Sequence, residues 1–475
     1  MSDSITTQHR YYNRYTAQWD KVRHCIEGED TIKDQSTRYL PQPSGQTINE
    51  YESYRTRASF YSVAERTLRG MTGMIFRNEP VLRLPEALNP WRVAATNELM
   101  CLQMFIEEVT REVIAMGRYG VLLDFPAGAS VGTLPHMVAY NTDSIINWRE
   151  EFVNGKKILT SLTLKDSLSG DDSTVDSSWL KLELVEGIYT VQRWAMELVE
   201  GKPVATMRGS AVTPTVNGEL IKHIPFVFFN PYDHRPEPSK PPFIDLCNMN
   251  LAHYRNSADY EHALYLTAQP TPWVAGQLDE KTKPTAIGSG TIWYLPEDAK
   301  AGMLEFTGKG LEAQRMAMQD KEDRMASLGA RMIKDTTRVQ EKAETARLRT
   351  RGETSLVLDT LQSVEKGLSM LMRQAAVWVG ADPDEVELRL NRDFVDSKID
   401  ANMLAALVKT WQTGAISRDT LHANLQRGEV MDMGRTAEEE KELIDEEGEF
   451  IPDADAPVNL GGDGIDITPT VPGDR

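Results

Sequence analysis

Cysteine, long apolar runs and basic charge are all scarce in this 475-residue sequence. The three cysteines, Cys25, Cys101 and Cys247, lie far apart and form neither a CxxC pair nor a disulfide framework, which is typical of a reducing cytoplasm. No window approaches the apolar length that a membrane span needs. The polar start MSDSITTQHRYYNRY does not resemble a secretory signal. We therefore expect no membrane association.

The charge balance excludes one kind of DNA-binding protein. The chain has 52 Lys and Arg against 71 Asp and Glu, a formal net charge of −19. Proteins that grip DNA tightly are usually basic, because their cations replace the counterions condensed on the phosphates. An acidic surface past which DNA slides is still compatible with this balance, since it repels phosphate.

Catalytic motifs are missing as well. There is no P-loop pattern to cradle phosphates, and Gly308-Lys309-Gly310 is too short to be one and indicates the entry of a helix. Gly288-Ser289-Gly290 lacks the spacing and the preceding buried strand of a nucleophile elbow, so a hairpin turn is favoured. We expect neither an enzyme nor a cofactor.

Metal-binding patterns are weak. His253 and His262 lie on one predicted helix, but ligand pairs on a helix are three or four residues apart, so ordinary polar helix faces are favoured. The loop Asp166–Ser178 is rich in Asp, Ser and Gly but lacks the spacing and terminal Glu of a calcium loop, which indicates a solvated turn. We therefore expect no metal site.

Apolar residues make up 40% of the chain, which is enough to form hydrophobic cores. A length of 475 residues predicts two to four subdomains. Apolar residues at three- and four-residue steps predict N-terminal helices at Tyr11–Cys25, at 50–76 and from Pro90 to Met116, the last with Leu99 on its buried side. Gly117 is the expected C-cap. A short buried strand is predicted at Val121–Phe125.

Between residues 135 and 230 the apolar period changes to two. Leu162 and Leu164 lie two residues apart, and so do Leu180 and Leu182, which predicts half-buried strands in an antiparallel meander with one wet face. Ile224–Phe229 is predicted to close this meander.

Helices dominate the second half of the sequence. After a proline-rich connector at 231–242, a helix is predicted at Ile244–Leu266, and 267–307 is punctuated by Pro and Gly, with Thr291–Leu295 as its clearest strand. A long helical tract follows from Leu311 to Val379, interrupted at Lys334–Lys342. A helical pair surrounds Gly414 at 400–427, and the acidic segment 436–475 is predicted to be disordered beyond Phe450, either solvating the protein or contacting a partner.

Methionines recur along this helical tract. Such stripes are typical of adaptable core or of subunit interfaces, and the two alternatives stay open here. The candidate interface residues are Met316, Met318, Met325 and Met332.

Seven stretches of the sequence carry a resemblance in combination. They are YESYRTRASFY at 51–61, RTLRGMTGMIFR at 66–77, GRYGVLLDFP at 117–126, IPFVFFNPYD at 224–233, NLAHYRNSADYEHALYLTAQPTPWVAG at 250–276, LEFTGKGL at 304–311 and MASLGARMI at 325–333. Together they resemble a portal-protein family of tailed double-stranded DNA bacteriophages, long known as a domain of unknown function. The resemblance covers about residues 10–430, and none of these stretches is a catalytic signature.

This resemblance implies an α+β, mainly helical portal-type subunit with an antiparallel β wing, two stem helices and a small α/β clip. It implies a closed homo-oligomeric ring of about twelve subunits at one capsid vertex of the virion, assembled in the host cytoplasm. Double-stranded DNA passes through such a ring during packaging and ejection. The implied partners are a separate terminase ATPase, a head–tail adaptor, and the major capsid and scaffolding proteins.

The order of the predicted elements gives a domain assignment under this resemblance. It runs as an N-terminal arm at 1–40, wing at 41–240, first stem helix at 241–266, clip at 267–307, second stem helix at 308–333, channel loop at 334–343, long wing helix at 344–384, crown at 385–435 and acidic tail at 436–475. The basic residues of the channel loop are either candidate DNA contacts or solvated side chains: Lys334, Arg338 and Lys342. The candidate adaptor contacts in the clip are Lys281, Lys283 and Trp293.

Two other classes of protein compete with the portal interpretation. A packaging enzyme such as a terminase should carry Walker motifs and a carboxylate cluster, and neither is visible. Another head-completion or capsid structural protein is the alternative function; a scaffold should be shorter and dominated by charged helix, and an adaptor should be much smaller.

Overall fold

The structure, a computed structural model, forms two compact units, Met1–Phe394 and Val395–Arg475. It describes residues 4–125, 133–166, 178–199, 202–267, 271–276, 286, 291–304, 309–329, 343–392, 401–427, 430–431 and 435–447. None of the helices within these ranges combines the length and the apolar character required to cross a bilayer.

Helices and strands are mixed along the chain, as the predicted α+β class requires. The helices are α1 Arg10–Glu27, α2 Glu29–Asp34, α3 Ile48–Arg57, α4 Val63–Ile75, α5 Leu102–Met116, α6 Ile244–Thr267, α7 Lys309–Ser327, α8 Ala343–Trp378, α9 Ala401–Gln412, α10 Arg418–Arg427 and α11 Ala437–Glu447. The strands are β1 Val81–Arg83, β2 Tyr119–Asp124, β3 His136–Tyr140, β4 Ile145–Val153, β5 Lys156–Asp166, β6 Ser178–Val185, β7 Ile188–Val199, β8 Lys202–Val212, β9 Thr215–Val216, β10 Glu219–Leu220, β11 Phe226–Phe229, β12 Thr271–Ala275, β13 Lys300–Leu304 and β14 Glu387–Arg389.

Five strands form the predicted antiparallel meander, in the order β4-β5-β6-β7-β8. Two of its hairpins are closed by two-residue turns, Asn154-Gly155 and Glu186-Gly187, in which both residues have positive φ. This is the type I′ geometry, whose twist matches that of the flanking strands. The turns therefore fix the register of the neighbouring strand pairs.

One end of the meander is part of the core and the other is exposed. Leu162 pairs with Leu182 and Leu164 with Leu180, and all four side chains are buried, which confirms the predicted parity. At the opposite end, beside the Asn154-Gly155 turn, Phe152 is 75% exposed.

The strand predicted at Ile224–Phe229 was expected to close the meander, and this expectation is wrong. β11 instead pairs with β2 in a separate three-stranded sheet of order β11-β2-β3. A Cβ at Gly120 on β2 would come within 2.2 Å of the Phe226 ring, so only glycine permits this close approach.

Two predicted helices are shorter than expected. The segment predicted at 50–76 is two helices, α3 and α4, because Ala58 leaves the helical region with φ −60° and ψ 136°. The segment predicted from Pro90 to Met116 is a 3-10 helix at Glu86–Arg92 followed by α5. Leu99 lies between them in a left-handed conformation and is 77% exposed, so its predicted burial is wrong.

Other helix boundaries match their predictions. Gly117 caps α5 with φ 71°, in the left-handed conformation that glycine adopts without strain. The helix predicted at Ile244–Leu266 is α6. In the second unit, α9 and α10 flank Gly414, whose φ is 76°. The interruption predicted at Lys334–Lys342 and the segment beyond Phe450 lie outside the described residues.

A single hydrophobic core joins the sheets and helices of the first unit. The described C-terminal half of α8 contributes a buried stripe that packs with α5 and β11: Val357, Leu361, Val364, Leu368, Leu371, Met372 and Ala375. Glycine at position 367 lets α8 approach β11, since a Cβ there would lie 2.4 Å from the Phe229 ring.

Candidate functional site: the helical arm

Two long helices and the hairpin between them form the most distinctive feature of the first unit. α6, the β12–β13 hairpin and α7 follow one another in sequence, and α6 packs along α7. We call these three elements the helical arm. They coincide with the predicted first stem helix, clip and second stem helix, although the domain boundaries themselves stay predictions.

The arm is rooted in the core at one end only. The buried residues of α6 all lie between Ile244 and Ala258, and residues 259–267 include none. Among residues 310–327 of α7, the buried residues are Met325 and Ala326 in the last turn. Since the two helices are joined through the hairpin, their buried ends form the root of the arm, and the hairpin lies towards its exposed end.

Helix α3 braces α6 where it leaves the core. The Tyr54 hydroxyl donates a hydrogen bond of 2.6 Å to Asp259 Oδ1, and the Arg57 guanidinium lies 3.8 Å from the centre of the Tyr265 ring. The Ser257 hydroxyl donates to the Ser59 carbonyl over 2.7 Å and accepts from the Ser59 amide over 3.1 Å. These polar contacts fix the direction of α6 beyond its buried half.

Burial and neighbouring charge shift the ionisation of groups at the root. Burial, followed by the Asp259 carboxylate, raises the pKa of Tyr54, so its phenol stays a hydrogen-bond donor. Burial lowers the pKa of His253, against the opposing effect of Glu322 on α7. The His253 ring stacks on Tyr61 at 4.9 Å between centroids, and its Nε2 lies 3.4 Å from Glu322 Oε1.

The hairpin does not use the strand predicted at Thr291–Leu295. β12 instead pairs with β13, and Trp273 lies opposite Gly302, where an added Cβ would be 3.0 Å from the indole nitrogen. Residues 291–295 have no assigned strand, which corrects the prediction. Trp293, a predicted adaptor contact, is half-buried, and its Nε1 donates to the Ala286 carbonyl over 2.8 Å.

Large apolar side chains are exposed along the outer part of the arm. They are Tyr265, Leu266, Trp273, Ile292, Tyr294, Met303, Leu304 and Met316. Single exposed apolar residues are ordinary on protein surfaces, but this number on one supersecondary unit is typical of a surface that meets another protein.

The predicted methionines lie in different environments on α7. Met316 is 59% exposed in the middle of the solvent-facing side, whereas Met318 is half-buried. Met325 is 2% exposed and belongs to the core of its own chain. Met332, together with Lys281, Lys283, Lys334, Arg338 and Lys342, lies outside the described residues.

The described part of the arm carries no basic stripe. Among residues 310–327, three basic side chains accompany four acidic ones, and α6 has Arg255 against three acidic residues. Within the residues that the structure describes, no group of three or more His, Cys, Asp or Glu could hold a metal ion. His262 contacts Tyr54 and Arg57 rather than His253.

The sequence reasoning missed the bracing residues. These residues occur in two stretches that carried the family resemblance: Tyr54 and Arg57 in YESYRTR, and Asp259 and Tyr265 in NLAHYRNSADYEHALYL. The spacing of residues within one helix does not predict which residues of another helix they contact. Only their juxtaposition in three dimensions identifies them as a unit.

Comparison with known proteins gives three findings. The family described as "Domain of unknown function (DUF4055)" matches residues 242–379, which include the helical arm and the whole of α8. Among curated proteins no match is found. The chain is similar to two solved structures at 13% identity and a TM-score of 0.39, too low to establish a common fold.

The titles of these two structures are "Neck of empty GTA particle computed with C6 symmetry" and "Neck of native GTA particle computed with C12 symmetry". The first similarity covers 81% of this chain and 95% of the other, and the second covers 83% and 98%.

Proposed function

We propose that this chain is a structural ring subunit of a phage-like particle, the portal that forms the DNA channel at one vertex of the capsid. The observation that carries the proposal is the helical arm: two antiparallel helices rooted in the core, joined by a small hairpin and exposed along their outer length. Such an arm leaves apolar surface uncovered in a monomer, and identical arms packed side by side in a ring would cover it.

The dimensions of the arm support a channel wall. At 1.5 Å per residue, the 24 residues of α6 extend about 36 Å and the 19 residues of α7 about 29 Å. A ring of about twelve such arms would enclose a channel along the helix direction. The stretches similar to the portal family at 250–276, 304–311 and 325–333 each overlap these elements.

Charge supports passage of DNA rather than tight binding. With a net charge of −19 and no basic stripe on the described part of the arm, the subunit would repel the phosphates of the duplex. In this role the protein is not an enzyme and needs no cofactor. It would dock a separate terminase ATPase during packaging, a head–tail adaptor at the clip, and the major capsid and scaffolding proteins at the vertex of the virion.

Electron microscopy of the purified full-length chain tests the proposal directly, with mass photometry on the same sample. We expect rings with a central hole and a mass of about twelve 53.4-kDa subunits. A protein that stays monomeric, both alone and with its capsid and scaffolding partners, would contradict the proposal.

A pair of variants tests whether α7 contributes to the ring interface. Met316→Glu adds a carboxylate to the exposed side of α7, next to acidic neighbours such as Glu312 and Asp320, and we expect rings to give way to monomers. Met316→Leu keeps an apolar side chain of similar volume and serves as the matched control, with rings retained. Because Met316 is exposed in the single chain, both variants should keep the circular dichroism spectrum of the folded parent; rings retained in Met316→Glu would remove α7 from the interface.

The proposed channel loop has its own test. Replacing Lys334, Arg338 and Lys342 by Ala should change DNA packaging or retention without changing ring assembly. Normal packaging by this triple variant would remove the channel-loop assignment and leave the ring proposal intact.

A further inference from the structure

His253 is a fully buried histidine at the root of the helical arm. The face of its ring stacks on Tyr61, in the segment between α3 and α4, at 4.9 Å between centroids. Its Nε2 lies 3.4 Å from Glu322 Oε1 on α7, which is longer than a normal hydrogen bond. The imidazole is therefore enclosed where α6 meets α7, and its contact with Glu322 is a weak one.

The polar groups on this side of α6 are poorly satisfied. His253 Nδ1 has no hydrogen-bond partner among the described residues, and neither has the side-chain amide of Asn250, one turn earlier on α6. Both side chains are fully buried. A buried polar group without a partner destabilises the state that buries it, because it has lost water and gained no hydrogen bond. Letting water into this part of the root would therefore satisfy these atoms.

Solvent lies close to the buried imidazole. Tyr61 is 49% exposed and the Glu322 side chain is 31% exposed, so water reaches both groups that cover the ring. Among residues 310–327 of α7, burial is confined to the last turn, around Met325. A small displacement of this turn from α6 would therefore hydrate His253.

Two charged side chains of α7 act on His253 in opposite directions. Burial lowers the pKa of His253, Glu322 raises it and Lys321 lowers it. Since the lowering prevails, the imidazole is neutral at neutral pH while α7 is in place. The closed arrangement of the root therefore disfavours the proton.

The other helices that pack against α6 are α1, α3 and α4, and the buried side chains that the structure describes on them are uncharged at neutral pH. Those that can titrate are Tyr12, Cys25, Tyr51 and Tyr54. Two charged side chains of these helices contact α6 at other positions: Lys21 donates to Asn248, and Arg57 lies over the Tyr265 ring. Mild acid therefore acts on this part of α6 through His253 and the two charges of α7.

We propose that His253 is a proton-operated latch of the helical arm: the neutral imidazole keeps the last turn of α7 packed on α6, and protonation in mild acid releases it. An imidazolium in the closed root has lost its water, and Glu322 offsets only part of this loss. In the released root the imidazolium is hydrated, so the released state binds the proton more tightly. The closed state is therefore favoured above the ordinary pKa of 6.5 and is lost progressively below it.

Hydrogen–deuterium exchange of the full-length chain at about pH 7.5 and about pH 5.5 tests the latch, read by mass spectrometry of peptides that contain Met325. After correction for the pH dependence of chemical exchange, we expect the protection of the last turn of α7 to fall by up to about tenfold in acid, the largest change that one proton allows one pH unit below 6.5. The protection of α5, which lies in the core, should stay unchanged and serves as the internal reference.

Two histidines on the same helix give a matched pair of variants. His253→Phe keeps a flat ring beside Tyr61 but cannot take up a proton, so we expect the same protection of α7 at both pH values. His262→Phe removes a histidine that contacts Tyr54 and Arg57 on the outer half of α6, and the acid effect should remain. Unchanged protection of α5 at the higher pH shows that each variant is folded.

Glu322→Gln separates the histidine from its neighbouring carboxylate. The amide of glutamine does not titrate, so release by mild acid should be no weaker in this variant than in the parent. Loss of the acid effect would show that protonation of Glu322, and not of His253, opens the root.

Three other results would overturn the latch. The first is equal protection of α7 at both pH values in the parent chain, and the second is acid release that persists in His253→Phe. The third is a gain of protection in acid, which would mean that the imidazolium closes on Glu322. The latch does not depend on the ring function.

Discussion

Arg118 is a fully buried cation with no acidic partner among its hydrogen bonds. Its Nη2 donates to the Pro236 carbonyl over 3.0 Å, and its guanidinium lies 4.3 Å from the centre of the Trp148 ring. Burial lowers its pKa from 12.5 to about 9. The planar, weakly hydrated guanidinium tolerates such a site because carbonyls and an aromatic face replace water.

Lysine should not replace arginine at this position. Arg118→Lys keeps the charge but concentrates it on an ammonium that cannot stack on Trp148, so we expect the free energy of unfolding to fall by about 3 kcal/mol. Urea denaturation measures this change. The control is Arg69→Lys on the exposed side of α4, where a change within about 0.5 kcal/mol is expected; equal effects at both positions would contradict the role of burial.

Two helical glycines predict opposite effects of the same substitution. Gly73 on α4 has open space around an added Cβ, so Gly73→Ala should stabilise the protein by about 0.5–1 kcal/mol through helix propensity. Gly367 on α8 faces the Phe229 ring, where a Cβ would lie 2.4 Å away, so Gly367→Ala should destabilise it by about 1–3 kcal/mol. Thermal melting of the two variants compares them, and stabilisation by both would contradict the close approach of α8 and β11.

His9 gives the N-terminal helix a pH dependence. Its Nδ1 accepts from the Tyr11 amide over 3.3 Å as the N-cap of α1, and its ring packs on Trp148 in a tilted arrangement with 3.9 Å between centroids. Burial, then Arg10 and Arg118, lower its pKa, against an opposing effect of Glu237. The unfolded chain therefore takes up this proton first, and stability is lost as pH falls below the ordinary value of 6.5.

Asparagine separates the cap from the titration. His9→Asn keeps an N-cap acceptor that does not titrate, so we expect stability equal to the parent near pH 8 and a smaller loss between pH 7 and pH 5. Melting temperatures across this range measure the difference. Identical pH profiles for the two proteins would show that other histidines account for the loss.

At the scale of secondary-structure elements, one carboxylate joins α8 to the strand pair β1–β14. Glu365 is buried and accepts from the Leu390 amide over 2.6 Å, and it also pairs with Arg392. β14 pairs with β1 in register Leu82 with Leu388. The Glu365 carboxylate therefore fixes the segment that follows β14 against α8. Through the pairing of β14 with β1, it also fixes the position of β1.

Removing that carboxylate should loosen the strand pair. Glu365→Leu leaves the buried Leu390 amide without an acceptor, and we expect the free energy of unfolding to fall by about 3 kcal/mol. Glu365→Gln retains an acceptor oxygen and should cost about half as much. Chemical denaturation distinguishes the variants, and equal losses in both would indicate that the charge on Glu365, rather than the amide contact, matters.

The prediction of helices and strands succeeded where the spacing of apolar residues changes at the same position as the backbone conformation. The period-two residues Leu162 and Leu182 are buried opposite each other, and the proline connector and apolar pattern located α6. The break between α3 and α4 was missed because Phe60, in the extended segment between them, is buried against Tyr254 and keeps the helical spacing of apolar residues. The spacing of apolar residues indicates which side chains are buried, not which backbone conformation they have. Between α3 and α4 the side chains of Ala58 and Phe60 stay buried while the backbone changes from helical to extended.

The arm shows a second limit of sequence patterns. Thr291–Leu295 has the β-branched and aromatic composition of a strand, yet strand formation requires a partner, and the pairing partner of β12 is β13. The turn at Asn154-Gly155 was not predicted, although Asn-Gly is the pair that type I′ turns favour. The contacts of α3 with α6 have no such local signal, because nothing in the sequence around Tyr54 reports which distant helix lies beside it.

At the scale of the whole molecule, net charge gives a test of the proposed DNA channel. A chain with a charge of −19 has no surplus of cations to release counterions from a duplex. In a gel-shift assay at physiological salt, we expect linear double-stranded DNA to migrate freely at protein concentrations of about 1 μM, whereas a basic binder would retard it. Retardation that weakens steeply with salt would contradict a channel that lets DNA pass.

Helix α6 runs without interruption from Ile244, inside the core, to Thr267, next to the hairpin. A rod that is buried along its first half and exposed along its second half acts as a lever, and the contacts of Tyr54 with Asp259 and of Arg57 with Tyr265 support the exposed half. A sideways load on the hairpin would therefore act as a torque on α1 and α3, which both pack against α6. In mechanical terms, the outer end of the arm cannot be displaced without straining the centre of the molecule.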